Sequence, residues 1–122
     1  MTRILWALLF LGCSATVAAD EVRPAYLQLT DVHSAEEEPL YEVLWKQPVV
    51  ENRRLPIEPV FEPNCELQPL GPPSITANAL VQRWQAPCDL GKAVVSIKGL
   101  STSLTDVMLR VVDVKGDFNN FI

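Results

Sequence analysis

Short segments in which apolar and polar residues alternate, with prolines between the segments, constrain this fold most. Successive side chains of a β-strand point to opposite faces, so an alternation of period two predicts strands with one buried face. The apolar positions of five such segments are Tyr41, Val43 and Trp45; Leu55, Ile57 and Phe61; Leu80, Trp84, Ala86 and Cys88; Ala93, Val95 and Ile97; and Val107, Leu109 and Val111. No long stretch has a helical period, so the chain is predicted to be all-β.

The connections between these segments have the composition of turns. Residues 62–74 carry four prolines and Gly71, and Pro56 and Pro59 interrupt residues 54–61. The sequence Asp89-Leu90-Gly91 predicts a tight hairpin between two strands. Short strands about ten residues apart, with Pro and Gly between them, are typical of sandwiches and barrels. We therefore expect a small immunoglobulin-like β-sandwich.

The N-terminal segment has the composition of a signal-peptide helix. Arg3 is the only charge before Asp20, residues 4–11 are apolar, and residues 17–19 are small. This apolar run is shorter than the ~20 residues that span a bilayer. We predict residues 1–19 to be a signal peptide cleaved after Ala19, and residues 20–122 to be one exported domain. Lipidation at Cys13, which follows Gly12, is an alternative that the sequence leaves open.

The charge of the chain excludes some classes of partner. The 122 residues have a net charge of −5, and loss of Arg3 with the leader makes the domain more acidic still. Its basic residues are scattered, so it has no electrostatic footprint for nucleic acid and no polybasic segment for anionic lipid. Residues 20–122 contain no apolar run of membrane-spanning length. The expected partner is an unidentified ligand or a membrane protein.

The cysteines also fit export. If Cys13 leaves with the leader, Cys65 and Cys88 remain as an even pair. An even pair in an exported chain predicts a disulfide, which stabilises by ~3 kcal/mol for a loop of about two dozen residues. The alternative is a metal site with two cysteine ligands, but it lacks further ligands, because His33 is the only histidine.

Two groups of residues are candidates for a site. Asp31 and His33 lie near the acidic run that begins at Glu36, and together they form a weak candidate metal site whose spacing matches no known ligand motif. The acidic run itself is expected to cap a solvated loop. Trp45 and Trp84 lie on the apolar phase of their segments, so we expect them in the core, with a ligand platform as the alternative.

Marks of common enzymes are missing from the sequence. It has no nucleophile elbow, no Gly-rich phosphate loop and no helical histidine pair. Asp31, His33 and Ser34 have the residue types of a hydrolase triad, but triads are assembled from distant segments. We expect a protein that is not an enzyme and has no cofactor. A secreted hydrolase is kept as a remote alternative.

Five segments in order resemble one family. "EVRPAYLQL", "YEVLWKQP", Cys65, "VQRWQAPC" and "IKGLSTSLTDVMLRV" are similar to the N-terminal extracytoplasmic region of HupE/UreJ-like membrane proteins, and the similarity covers residues 21–112. The resemblance implies a first strand that starts just after the leader, followed by a small β-domain. It also implies a binding or assembly role at the outer face of the cytoplasmic membrane, linked to nickel or cobalt handling.

The chain departs from this family in two ways. Asp20 stands where we expect a histidine, and "FNNFI" stands where relatives continue into another strand and then into membrane helices. We therefore expect a truncated domain that is incomplete at its C-terminus. The strand predicted over residues 105–114 would then leave an open sheet edge that favours self-association, unless residues 118–122 fold back and pair as a short closing strand. The alternative is a free-standing periplasmic binding or chaperone-like module.

Overall fold

A computed structural model describes residues 24–34, 38–102 and 105–122. The predicted signal peptide, Cys13 and Glu36 lie outside these residues. Within the described ranges the chain forms ten strands. They are β1 (Ala25–Asp31), β2 (Tyr41–Val50), β3 (Arg53–Arg54), β4 (Glu58–Glu62), β5 (Gln68–Pro69), β6 (Ser74–Thr76), β7 (Ala79–Ala86), β8 (Val94–Lys98), β9 (Val107–Val112) and β10 (Phe118–Phe121). Two short 3₁₀ turns are formed by Leu90–Lys92 and Leu100–Thr102.

The strands form a large sheet and a small one. The large sheet has the order β10-β9-β1-β2-β7-β5, with β3 paired to β2 and β6 paired to β7, and the small sheet consists of β4 and β8. Strands β1 and β9 run parallel, with Ala25 opposite Val107, whereas the other pairs are antiparallel. The predicted all-β class is confirmed as a sheet-rich, sandwich-like arrangement.

The core lies between the two sheets. Leu27 pairs with Trp45 and Leu29 pairs with Val43, so the buried phases of β1 and β2 share one face. The alternation seen in the sequence produces this face, because every second side chain of each strand points to the same side. The small sheet and its connections complete one hydrophobic cluster, whose buried members are Ala25, Leu27, Leu29, Tyr41, Val43, Trp45, Ile57, Phe61, Cys65, Ala86 and Leu90.

A disulfide attaches the small sheet at one end. Cys65 follows β4 of the small sheet, and Cys88 follows β7 of the large sheet. The predicted Cys65–Cys88 bond is confirmed, with the two Cα atoms 6.2 Å apart. The bond therefore joins the segment between β4 and β5 to the segment between β7 and β8.

A close backbone contact holds the two strands of the small sheet together at its other end. Gly99 follows β8, and Pro56 precedes β4. A Cβ atom at Gly99 would lie 2.2 Å from the carbonyl oxygen of Pro56, and Gly99 has a φ of +85°. Only glycine fits this position, because it has no side chain and readily adopts a positive φ.

The expected hairpin at Asp89-Leu90-Gly91 is wrong. Strand β7 pairs with β2, β5 and β6, whereas β8 pairs with β4, so the segment connects two sheets instead of two neighbouring strands.

Strand β2 contains a proline, Pro48, and continues past it to Val50. Val49 donates its N–H to the Asn78 carbonyl on the β7 side (2.8 Å), so the Pro48 nitrogen faces the β1 side, where the pairing with β1 ends at Lys46. A missing N–H at Pro48 therefore removes no hydrogen bond with β1.

The expectation that β9 forms an open edge is also wrong, because residues 118–121 fold back on β9 as β10. The turn that reverses the chain is specified locally. The Asp113 side chain accepts hydrogen bonds from the N–H groups of Lys115 (2.9 Å) and Asp117 (3.0 Å). Gly116 supplies the positive φ of +85°. One edge of the large sheet is therefore β10.

Replacing Gly99 with alanine tests its close contact with Pro56. Gly99→Ala is expected to lower the free energy of unfolding by about 2–5 kcal/mol, because it adds the clash with Pro56 to the strain of a positive φ. Gly116→Ala is the matched control, since Gly116 has the same φ of +85° but no atom within 4 Å of its Cβ position. Its expected cost is about 1–2 kcal/mol. Equal losses for both variants in urea unfolding would contradict the close contact.

Candidate functional site

A groove lies where the small sheet does not cover the core face of the large sheet. Its volume is about 570 Å³. Gln47 of β2 and Gln82 and Trp84 of β7 line its floor, and their register places all three on the core face. The walls are Arg54 to Pro59 with Lys98 at the end of β8, and Leu67 before β5. Residues from both sheets and their connections therefore form one open site.

A buried glutamine connects the floor of the groove to its wall. Gln47 is 2% exposed, and its side-chain oxygen accepts a hydrogen bond from the indole N–H of Trp45 at 2.8 Å. Its amide nitrogen donates to the carbonyl of Leu55 at 2.7 Å. Because buried polar groups need partners, Gln47 satisfies the Trp45 indole and holds the Leu55 segment against β2.

The charges at the groove differ from those of the whole chain. The protein is acidic, but the groove carries two cations, Arg54 and Lys98, and one anion, Glu58. Lys98 Nζ lies 3.9 Å from Glu58 Oε1 in an exposed ion pair. No ion pair joins Arg54 to another described residue. An anionic group in the groove would therefore meet an uncompensated guanidinium.

The two tryptophans have different environments. Trp45 is 1% exposed and lies in the core. Trp84 is half-buried, packs against the core cluster and also lines the groove. Trp84 therefore combines the two roles that the sequence left as alternatives: one part of its ring surface is packed and another part is available to a ligand.

A second, smaller cavity of about 160 Å³ lies near the disulfide end and is lined by Asp31, His33, Pro39, Tyr41 and Asp89. The Asp31 carboxylate contacts His33 Nδ1 and accepts the backbone N–H of His33 at 3.2 Å. The Tyr41 hydroxyl also donates to Asp31. Asp89 accepts the Gly91 N–H at 3.1 Å.

Ionisation in this cavity follows from burial and hydrogen bonding. Burial opposes the ionisation of Asp31, but the hydrogen bonds from His33 and Tyr41 outweigh it and hold the pKa of Asp31 below its usual range. Burial raises the pKa of Tyr41, and the charges of Asp31 and Asp89 raise it further. The stabilisation by ionised Asp31 is complete above about pH 4 and is lost as the pH falls through its lowered pKa.

The described part of this cavity lacks the groups that its candidate chemistries require. Across residues 24–34, 38–102 and 105–122, no group of three or more His, Cys, Asp or Glu side chains is arranged to hold a metal ion. The third candidate ligand, Glu36, lies outside those ranges. Asp31 and His33 pair as in a triad, but no hydrogen bond in the described chain joins His33 to the Ser34 hydroxyl. The groove is therefore the better candidate site.

Comparison with known proteins gives no match to a protein-family model, a curated protein or a solved structure. In the part of the chain that the structure describes, no helix has the length and apolar character needed to cross a membrane.

The sequence did not identify most groove residues. Gln47 carried a signal, since it follows Tyr41, Val43 and Trp45 on the buried phase of β2, where a polar side chain needs a partner. Arg54 and Lys98 carried none, because isolated exposed cations are common on any surface.

Replacing Gln47 tests the polar connection beneath the groove. Gln47→Leu is expected to lower the free energy of unfolding by about 1–3 kcal/mol, because it leaves the buried Trp45 indole N–H without an acceptor. Gln82→Leu is the control, since Gln82 lines the same groove but is only partly buried. Its expected change is within about 0.5 kcal/mol. Equal effects of the two substitutions in urea unfolding would show that the Trp45–Gln47 hydrogen bond contributes nothing.

Proposed function

We propose that this chain is an exported, non-catalytic binding domain, equivalent to the extracytoplasmic immunoglobulin-like domain of a HupE/UreJ-like membrane protein. The resemblance of residues 21–112 supports the family. The Cys65–Cys88 disulfide supports an oxidising compartment such as the periplasm. A binding or assembly role is supported by one observation above all, the open groove between the two sheets.

The lining of the groove defines the ligand class. Trp84, Leu55 and Ile57 offer apolar surface, and Arg54 offers a guanidinium without an ionic partner among the described side chains. Apolar pockets with a few placed polar groups are the usual form of small-molecule sites. The ligand that complements this lining is a small carboxylate with an aromatic or aliphatic body. Its carboxylate would pair with Arg54 and its body would pack on Trp84.

A free-standing periplasmic binding module is the second candidate, and the same groove supports it. The two differ in what the gene encodes next. Codons for membrane helices downstream favour a family member, and an intergenic region favours an independent protein. The link to nickel or cobalt rests on the resemblance, and a secreted hydrolase stays a remote alternative.

Titration with a model ligand tests the groove. The probe is 4-phenylbutyrate, followed by the NMR signals of the tryptophan indole N–H groups. Binding is expected to shift the Trp84 signal far more than the Trp45 signal, because Trp45 is buried beneath the floor. A dissociation constant on the order of 1 mM is expected for a ligand with so few heavy atoms.

Paired arginine variants provide the specificity control. Arg54→Gln is expected to weaken carboxylate binding about threefold to tenfold through the lost charged contact. Arg53→Gln leaves it unchanged, since Arg53 is the exposed neighbour outside the groove. The neutral amide of the probe is expected to be insensitive to both changes. Equal effects of the two arginines, or a larger shift at Trp45 than at Trp84, would refute a binding site in the groove.

A further inference from the structure

The outer edge of β10 presents free backbone groups in a defined order. Asp113 donates its N–H to Asp117 at 2.9 Å, and Gly116 donates to Asp113 at 3.0 Å, so the pair 113–117 closes the hairpin with hydrogen bonds. Hydrogen-bonded pairs alternate along an antiparallel ladder. Asn119 and Phe121 therefore bond to β9, whereas Phe118 and Asn120 direct their N–H and C=O groups outward.

This edge lacks the charged side chains and prolines that protect many sheet edges. Residues 118–122 contain no charged side chain and no proline. Phe118 and Phe121 are each 53% exposed, and Ile122 is almost fully exposed. The opposite edge of the sheet differs, since Pro69, Pro72 and Pro73 lie in or between β5 and β6. Prolines and charges are the usual protection against strand addition, so β10 is the unprotected edge.

Arg110 of β9 holds β10 in an extended form. Its Nε donates to the Asn120 side-chain oxygen at 2.9 Å, and its guanidinium lies 4.4 Å from the centroid of the Phe118 ring. Both contacts are on one face of the hairpin, because residue 110 is opposite residue 120. An edge that is already ordered loses little conformational entropy when another strand joins it.

We propose that two copies of this chain associate by antiparallel pairing of their β10 edges about a two-fold axis at Asn120. Because the axis passes at Asn120, this residue lies opposite Asn120 of the second copy. Because the axis is perpendicular to the sheet, each face of one copy continues into the same face of the other. Phe118 then lies opposite Ile122 of the second copy on the same face. The outward groups of Phe118 and Asn120 gain partners. The Phe118–Ile122 pairs bring apolar side chains together on one face, and Asn119 lies opposite Phe121 of the second copy on the other.

A second copy suits this edge because the pairing is self-complementary. The register places two uncharged asparagines at the axis and no like charges opposite each other within residues 118–122. The edge is short, so we expect a weak, concentration-dependent dimer instead of an obligate one. This inference is independent of the groove, which lies on the β2–β7 side of the large sheet.

The test is sedimentation velocity of the full chain, purified as the cell processes it, over a wide concentration series. The wild type is expected to shift from monomer to dimer. Asn120→Pro removes the outward N–H at the axis in both copies and is expected to raise the dimer dissociation constant at least about tenfold. Asn120→Ala is the matched control: it also loses the side-chain contact with Arg110 but keeps the N–H, so its dimer is retained.

Hydrogen exchange locates the contact. The amides of Phe118 and Asn120 are expected to become protected only at dimer concentrations, and those of Asn119 and Phe121 to be protected at all concentrations. A monomer at every concentration overturns the proposal. So does a dimer that Asn120→Pro does not weaken, or one whose new protection lies outside β10.

Discussion

The attachment of the small sheet to the large one at both of its ends is the constraint on which the rest of the structure depends. A two-stranded sheet is marginally stable on its own, so β4 and β8 need a fixed position over the core face. The Cys65–Cys88 bond fixes one end, and the hydrogen bond from the Gln47 amide of β2 to the Leu55 carbonyl fixes the other. Between them, Ile57 and Phe61 complete the hydrophobic cluster.

The groove is a consequence of this arrangement. The small sheet covers Trp45 but leaves Trp84 half-buried, so an aromatic surface remains at the boundary. Gln47 makes that boundary possible, since it satisfies the Trp45 indole and fixes the Leu55 carbonyl in the same wall. The segment that carries Arg54 is therefore placed by core contacts, and the cation at the groove follows from the packing beneath it.

Sequence reasoning succeeded where local pattern and buried face coincide. The alternation of Tyr41, Val43 and Trp45 corresponds to one face in the structure because their strand is buried on one side only. The disulfide followed from an even pair of cysteines. The turn at Ala77 and Asn78 was not predicted, because alanine rarely adopts the positive φ of 51° that it has there.

Contacts between segments that are far apart in the chain could not be predicted from local sequence patterns. Nothing near Asp89 indicates that β7 and β8 belong to different sheets, because their partners β2 and β4 are far away in the chain. Likewise, the groove brings together Arg54, Trp84 and Lys98, and only the crossing of the two sheets makes them neighbours. The C-terminal hairpin was local, and Asp113 with Gly116 carried its signal, but the shortness of β10 obscured it.

Amide hydrogen exchange of a Cys65→Ser, Cys88→Ser double variant tests the central claim most directly. Loss of the disulfide releases one end of the small sheet and is expected to cost about 2–5 kcal/mol. Exchange is expected to accelerate at least about tenfold more in β4 and β8 than in β1 and β2, because the small sheet opens locally while the large sheet stays folded. The same acceleration in all four strands, or none in β4 and β8, would contradict it.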